Sequence, residues 1–136
     1  MILFHSETDF QLKSKLQFKN WLKRVAQSHE KKIGDINYIF CDDEYLLKLN
    51  LQFLHHDTLT DIITFDYVED SILNGDIYIS IERVRENAAI FAVSFENELL
   101  RVLSHGLLHL CGFKDKSEDE AAVMRSQENA AIALFL

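Results

Sequence analysis

Two histidines four residues apart, His105 and His109, and a carboxylate six residues later, Asp115, have the spacing in this chain that could do chemistry. Four residues advance a helix by about 400°, a net rotation of ~40°, so the two imidazoles share a face one turn apart. Imidazoles so placed can converge on a single metal ion. Gly112 suits the left-handed residue that ends a helix. The chain can then double back and bring Asp115 to the same ion. The expected ligands are therefore His105, His109 and Asp115, and the expected ion is zinc or another divalent transition metal.

The pattern reads H-x-x-x-H-x-x-G-x-x-D, the ligand spacing of metzincin-type zinc sites with aspartate in the third place. In H-E-x-x-H peptidases a glutamate beside the first histidine is the general base. Here that position is Gly106, which cannot take a proton, so a peptidase is not expected. Two histidines and one carboxylate can also hold iron(II) for oxygen chemistry, but their helical spacing favours the zinc-type reading. With two neutral imidazoles and one carboxylate, a divalent ion keeps a net charge of about +1. Glycine within a helix costs roughly 0.8–1 kcal/mol relative to alanine. Gly106 therefore points to a close approach at that turn, by a ligand or by a packed neighbour. Cys111 lies ~200° around from His109 and is expected in the core, away from the ion.

The elements that must position these groups follow from periodicity. Helices are expected over residues 82–92, 94–111 and 117–135, with Ser94 and Asn97 a weak cap and Ser117 with Glu120 a capping box. Thr8 or Asp9 is expected to cap a first helix running to about Lys31. Its apolar stripe is Phe18, Trp21, Leu22 and Val25, and Gly34-Asp35 would break it. Strands are expected over Ile2–Phe4, Ile36–Cys41, Asp61–Phe65 and Ile77–Ile81, with a turn at Asn74-Gly75-Asp76. Asp42 or Asp43 should cap a short helix to about Phe53. The expected fold class is α/β (α+β): one compact domain over residues 1–136, with a small mixed sheet packed with helices and a zincin-like metal-binding helix.

The 136 residues suit one domain, and 48% hydrophobic residues can fill its core. No run approaches the ~18 apolar residues of a membrane span. The opening MILFHSETDF lacks the basic and apolar regions of a secretory leader. Two cysteines, Cys41 and Cys111, make no C-x-x-C pair and no disulfide framework. A cytoplasmic location is expected. The net charge is −8, but residues 1–34 carry seven bases (Lys13, Lys15, Lys19, Lys23, Arg24, Lys31, Lys32) against three acids. A local basic face can bind phosphates despite an acidic total, but from charge alone a solvated helix face is the favoured reading.

The segment His105-Gly106-Leu107-Leu108-His109-Leu110-Cys111-Gly112 resembles the signature of the YbeY family of rRNA-maturation endoribonucleases. Upstream, Asp57-Thr58-Leu59-Thr60-Asp61-Ile62-Ile63-Thr64-Phe65 is similar to that family's T-D-V-L-S-F segment, and Gly75-Asp76-Ile77-Tyr78-Ile79-Ser80 to its G-D-I-x-I strand. Glu118–Glu120 and the helix bearing Met124 and Glu128 also look familial. The resemblance implies an α/β domain holding one zinc ion. It further implies cleavage of single-stranded RNA, work on the 3′ end of small-subunit rRNA, and ribosomal components as partners. Family members commonly carry a third histidine where Asp115 stands, and an arginine where Leu54 stands. Asp61 and His56 are then the candidates for proton transfer, with His55 beside the latter. Lys15, Lys19, Lys23, Arg83 and Arg85, together with Arg101, are the candidates for RNA contact. The rival expectations are a non-catalytic ribosome-assembly factor with a structural metal, and a metal-dependent hydrolase of another substrate.

Overall fold

The computed structural model describes residues 1–54 and 60–135. In chain order these form β1 (Ile2–Ser6), α1 (Lys15–Ser28), β2 (Lys32–Cys41), α2 (Asp43–Leu49), a π-helical turn (Asn50–Leu54), β3 (Ile62–Asp66), β4 (Ile72–Ser80), α3 (Ile81–Ile90), α4 (Phe95–Leu110) and α5 (Glu118–Ala133). The sheet runs β1-β2-β4-β3. β1, β2 and β4 are parallel, and β3 runs antiparallel along the edge of β4. The architecture is α+β with a mixed sheet, as expected.

Alternation along each strand divides its side chains between two faces. One face carries Ile2 and Phe4, then Ile36, Tyr38 and Phe40, then Ile77 and Ile79, joined across the strands by register. Phe18, Trp21, Leu22 and Val25 of α1 and Leu99, Leu103, Leu107 and Leu110 of α4 bury against it. Two large residues keep their polar tips satisfied there: Trp21 Nε1 donates to the Ala131 carbonyl at 2.7 Å and Tyr38 Oη to the Leu103 carbonyl at 2.9 Å. The other face is smaller. Cys41, Leu46 and Ile63 form its centre, with Leu49, Phe65 and Tyr78 around them. No helix among the described residues is long and apolar enough to cross a membrane.

The helix starts at Asp42, Ser94 and Ser117 form as expected. Their side chains accept from Tyr45 N (2.8 Å), Asn97 N (3.0 Å) and Glu120 N (3.1 Å), the last within a complete capping box. Three expectations fail for tertiary reasons. The first helix begins at Lys15 instead of after Thr8 or Asp9. Phe10 and Leu12 are drawn into the core instead, with Leu12 buried and the Phe10 ring edge-on to Phe40 and Phe95. Gly34-Asp35 does not end that helix, which closes at Ser28; the pair forms an irregularity inside β2, between Ile33 and Ile36. Asn74-Gly75-Asp76 is not a turn but the middle of β4. Asn74 Oδ1 instead accepts from Asp35 N at 2.7 Å, tying down that irregularity. The chain reverses at Glu69 to Ile72, with Asp70 left-handed.

What seats α4 on the sheet is missing side-chain bulk. A Cβ on Gly106 would lie 2.9 Å from Ile77 Cγ2 and 3.1 Å from Ile62 Cδ1. The close approach foreseen at Gly106 is thus made by sheet side chains. A Cβ on Gly75 would lie 2.7 Å from the Phe65 carbonyl oxygen and 3.0 Å from Leu110 Cδ2. α4 therefore rests directly on β4 and on the edge strand β3, which carries its His105 and His109 face to the rim of the sheet. Because one of the atoms crowding Gly75 is backbone, Gly75→Ala is expected to lower the unfolding free energy by about 1–3 kcal/mol. Urea denaturation should show a lower midpoint at an unchanged slope.

Candidate metal centre

His105 and His109 lie on the last turns of α4, and the way this helix ends aims the third group. Gly112 adopts φ +106°, open to glycine and strained for other residues. Gly112 N donates to the His109 carbonyl and Phe113 N to the Leu108 carbonyl, each at 3.0 Å, which is the Schellman closure. That reversal returns the chain over the helix end. The Phe113 carbonyl then accepts from His109 Nδ1 at 3.0 Å, and Asp115 arrives over the two imidazoles. The capping box at Ser117 pins the far side of the loop.

Asp115 Oδ2 lies 3.2 Å from His105 Nε2 and 3.4 Å from His109 Nε2. One donor atom from each residue falls within 4.8 Å of the others. Carbonyl oxygen only accepts, so His109 donates from Nδ1, the tautomer in which Nε2 is the ring's acceptor atom. His105 Nδ1 is likewise engaged, at 2.6 Å from Glu128 Oε2. Two lone pairs and a carboxylate oxygen thus converge, an arrangement that repels itself unless a cation or proton lies between them. A tetrahedral ion with bonds of 2.0–2.1 Å separates its ligand atoms by about 3.3 Å. The donor set and its spacing fit such an ion. The three converging side chains line a cleft of about 600 Å³ together with Leu54, Asp61, Thr64 and Lys116 among others.

Behind His105 runs a chain of charges. Arg101 Nη1 holds Glu128 Oε1 at 2.9 Å, and Arg101 Nε lies 3.5 Å from Glu98 Oε1. Glu128 and Glu98 are nearly fully buried. Burial alone would lower the His105 pKa, but the hydrogen bond and charge of Glu128, with Asp115 and Asp61, raise it above the ordinary imidazole value. Burial alone would raise Glu128, and the hydrogen bonds from His105 and Arg101 bring it below the ordinary carboxyl range. Asp61 is raised, chiefly by burial, against the opposing pull of His105.

The structure brings together the three expected ligands and sets Asp61 on the wall of their cleft. Leu54, the position where the resemblance expects arginine, lines the same wall, and Lys116 is the lysine or arginine of that lining among the described residues. His55 and His56 lie outside the described residues. Lys15, Lys19 and Lys23 stay on α1, away from the cleft, with Lys23 in a groove beside Lys31 and Lys32. Arg83 is spent on Asp43 and Glu86, at 2.8 and 2.7 Å, and Arg85 lies over the Phe95 ring. Arg101 is not a surface cation but the inner partner of Glu98 and Glu128. Sequence reasoning gave Glu128 no role at this site. The signal was its place in the stripe Met124, Glu128, Ala131 of α5, where an acid stands among buried apolar positions. Cys111 packs against the core as expected, and burial pushes its thiol up to about 11.

A family model described as Endoribonuclease YbeY matches residues 3–135. The Endoribonuclease YbeY of Flavobacterium johnsoniae is 57% identical over 135 residues, covering 99% of this chain and 97% of that protein. That of Christiangramia forsetii is 56% identical, covering 98% and 94%. That of Parabacteroides distasonis is 47% identical, covering 98% and 95%. Among solved structures, the solution structure of TM1509 from Thermotoga maritima superposes with a TM-score of 0.69 at 30% identity. It covers 99% of this chain and 89% of that one.

The coupling of His105 to Glu128 sets a pH dependence for the metal-free protein. The raised imidazole contributes stability below its unfolded value of about 6.5 and loses it as pH rises through the folded one. The lowered carboxyl contributes above its unfolded value of about 4.3 and loses it as pH falls through the folded one. Stability from the pair is therefore greatest between these values. Thermal melting with chelator present should give a Tm about 2–8 °C higher near pH 5.5 than near pH 8.5. Glu128→Gln should flatten that difference; an equal difference in the variant would show that other groups cause it.

Proposed function

The chain belongs to the YbeY endoribonuclease family, and on that premise we propose that it is a metal-dependent endoribonuclease cutting single-stranded RNA. Small-subunit rRNA, near its 3′ end, is the substrate this reading favours, with ribosomal components as partners and the cytoplasm as its place of work. The observation that carries the reading is the convergence of His105 Nε2, His109 Nε2 and Asp115 Oδ2 on one point beside an open cleft.

Zinc is the ion this reading favours, because two imidazoles and a carboxylate at tetrahedral spacing suit it. Bound there, a divalent ion supplies Lewis acidity toward a phosphoryl oxygen. The protein's own groups prepare the site. Glu128 and the Phe113 carbonyl hold the two imidazoles with their Nε2 atoms forward. Lys116 places a positive charge on the cleft wall, where a backbone phosphate lies against it. The buried hydroxyl of Thr64, on the same wall and without a hydrogen-bond partner among the described residues, is a donor for a phosphate oxygen. Gly106 leaves no carboxylate beside His105 to act as a peptidase base, which sets this site apart from H-E-x-x-H chemistry. Asp61, which lines the cleft together with Asp66, is the candidate this reading names for proton exchange with the reacting groups.

The competing reading is an assembly factor with a structural ion. Structural zinc sites usually close with four protein ligands, whereas the described residues bring together three. Chelated and zinc-restored protein, wild type and His109→Ala, should be compared on a single-stranded oligoribonucleotide, with metal content measured on the same samples. Wild-type cleavage should fall at least 100-fold on chelation and return with zinc, while the variant stays low in both states. Equal residual cleavage in every sample would favour the assembly factor.

A further inference from the structure

A second cavity, of about 200 Å³, lies on the far side of His105 from the cleft. The imidazole is the partition: its Nε2 faces Asp115 and its Nδ1 faces Glu128, which lines the second cavity. Asp61 lines both spaces. Asn87, Phe91, Glu98 and Arg125 complete the walls that matter here.

The polar inventory of this cavity is unbalanced. Both Glu128 oxygens are used, one by His105 and one by Arg101. Glu98 is not satisfied in the same way. Its side chain is 3% exposed, and Oε1 has no hydrogen-bond partner among the described residues, only the 3.5 Å ion-pair contact with Arg101 Nε. A buried acceptor without a donor is costly, and the cost is relieved when a ligand supplies N–H groups. Burial raises Glu98 against the opposing pull of Arg101, in keeping with an acceptor short of donors. A second cation would meet Arg101 and Arg125 in the same walls, so a neutral donor fits better than a metal. At the rim stand Phe91, 55% exposed, and Arg125, whose side chain is 55% exposed. An exposed ring offers a face for base stacking, and a guanidinium pairs with phosphate.

Among the RNA bases, guanine alone presents two adjacent N–H donors, N1–H and the 2-amino group, on one edge, the pair a carboxylate accepts. We propose that this cavity is a specificity pocket that takes one unstacked guanine of single-stranded RNA, next to the bond that is cut. Glu98 accepts from its Watson–Crick edge, Phe91 stacks on its face and Arg125 meets its phosphate. His105 and Asp61 line both the pocket and the cleft, which sets the pocket beside the converging donors. This inference rests on the endoribonuclease reading and deepens it by naming the base that is read.

The test uses the zinc-loaded full chain and a pool of single-stranded RNA with randomised sequence, the cut ends being read by sequencing. Guanine should be enriched at one fixed position beside the cut. Replacing that guanine with inosine, which lacks the 2-amino group, should lower kcat/KM by about 5- to 150-fold on the unaltered protein. Glu98→Gln, checked for native folding by thermal melting, should reduce the discrimination between guanine and inosine, whereas the exposed Phe91→Ala should lower cleavage of both substrates and leave their ratio in place. Cleavage with no base preference, or equal cleavage of the inosine substrate, overturns the proposal. The metal-free protein gives an independent arm, in which guanosine 5′-monophosphate should bind more tightly than inosine 5′-monophosphate and shift the amide resonances of Asn87 and Phe91. Such binding by a protein that cuts no RNA would keep the pocket and sink the nuclease reading. Equal binding of the two nucleotides in such a protein would sink the pocket as well.

Discussion

The closeness of α4 to the sheet governs the rest of this molecule. At Gly106 the helix carries no side chain, and Ile77 and Ile62 fill the space a Cβ would take. One turn of helix is thereby pressed onto β4 and the edge strand β3. His105 sits one residue before that contact and His109 three after it, so the same approach that buries Leu103 and Leu107 leaves the two imidazoles at the rim. The edge position of β3 matters equally. An inner strand would be flanked on both sides, whereas β3 pairs with β4 alone among the described residues, and its Ile62, Ile63, Thr64 and Asp66 line the cleft. The cost of glycine in a helix, roughly 1 kcal/mol, is small beside the packing that it permits.

The centre itself is a problem in electrostatics. Two imidazole lone pairs and a carboxylate oxygen within 4.8 Å oppose one another until a positive charge joins them. The protein prepares for that charge with a second layer. Glu128 and the Phe113 carbonyl engage both Nδ1 atoms, which sets the tautomers and leaves each Nε2 facing inward. Burying Glu128 is costly, and Arg101 and His105 offset the cost by pairing both of its oxygens. Glu98 stands at the end of that chain with one oxygen short of a donor, which distinguishes a satisfied structural network from a wall that still has room for a ligand.

Helix starts were legible because a cap is local chemistry: Asp42, Ser94 and Ser117 each bond a backbone N–H within three residues. The α+β class and the zincin-like helix were legible for a similar reason, since both follow from periodicity within single elements. The failures all involve distant partners. Asn74-Gly75-Asp76 has turn composition, yet Asn74 bonds to Asp35 and Gly75 makes way for Leu110, 35 residues away. The first helix starts late because Phe10 finds Phe40 and Phe95. Arg83 and Arg101 look in sequence like free cations for RNA, and each is neutralised by acids from another element.

Sequence by itself determined the candidate donor set, because His105, His109, Gly112 and Asp115 lie within eleven consecutive residues, and helix geometry with one left-handed glycine suffices to converge them. It also determined, through Gly106, that no peptidase base stands beside the first histidine. Only the tertiary structure decided which charges serve the site. Glu128 comes from 23 residues downstream and Asp61 from 44 upstream of His105, and side chains so far apart meet only when packing of the sheet and helices brings them together. Local rules act along the chain within a helical turn or two; the second layer and the cavity behind it exist only where separate elements meet, and their composition is set by burial instead of spacing.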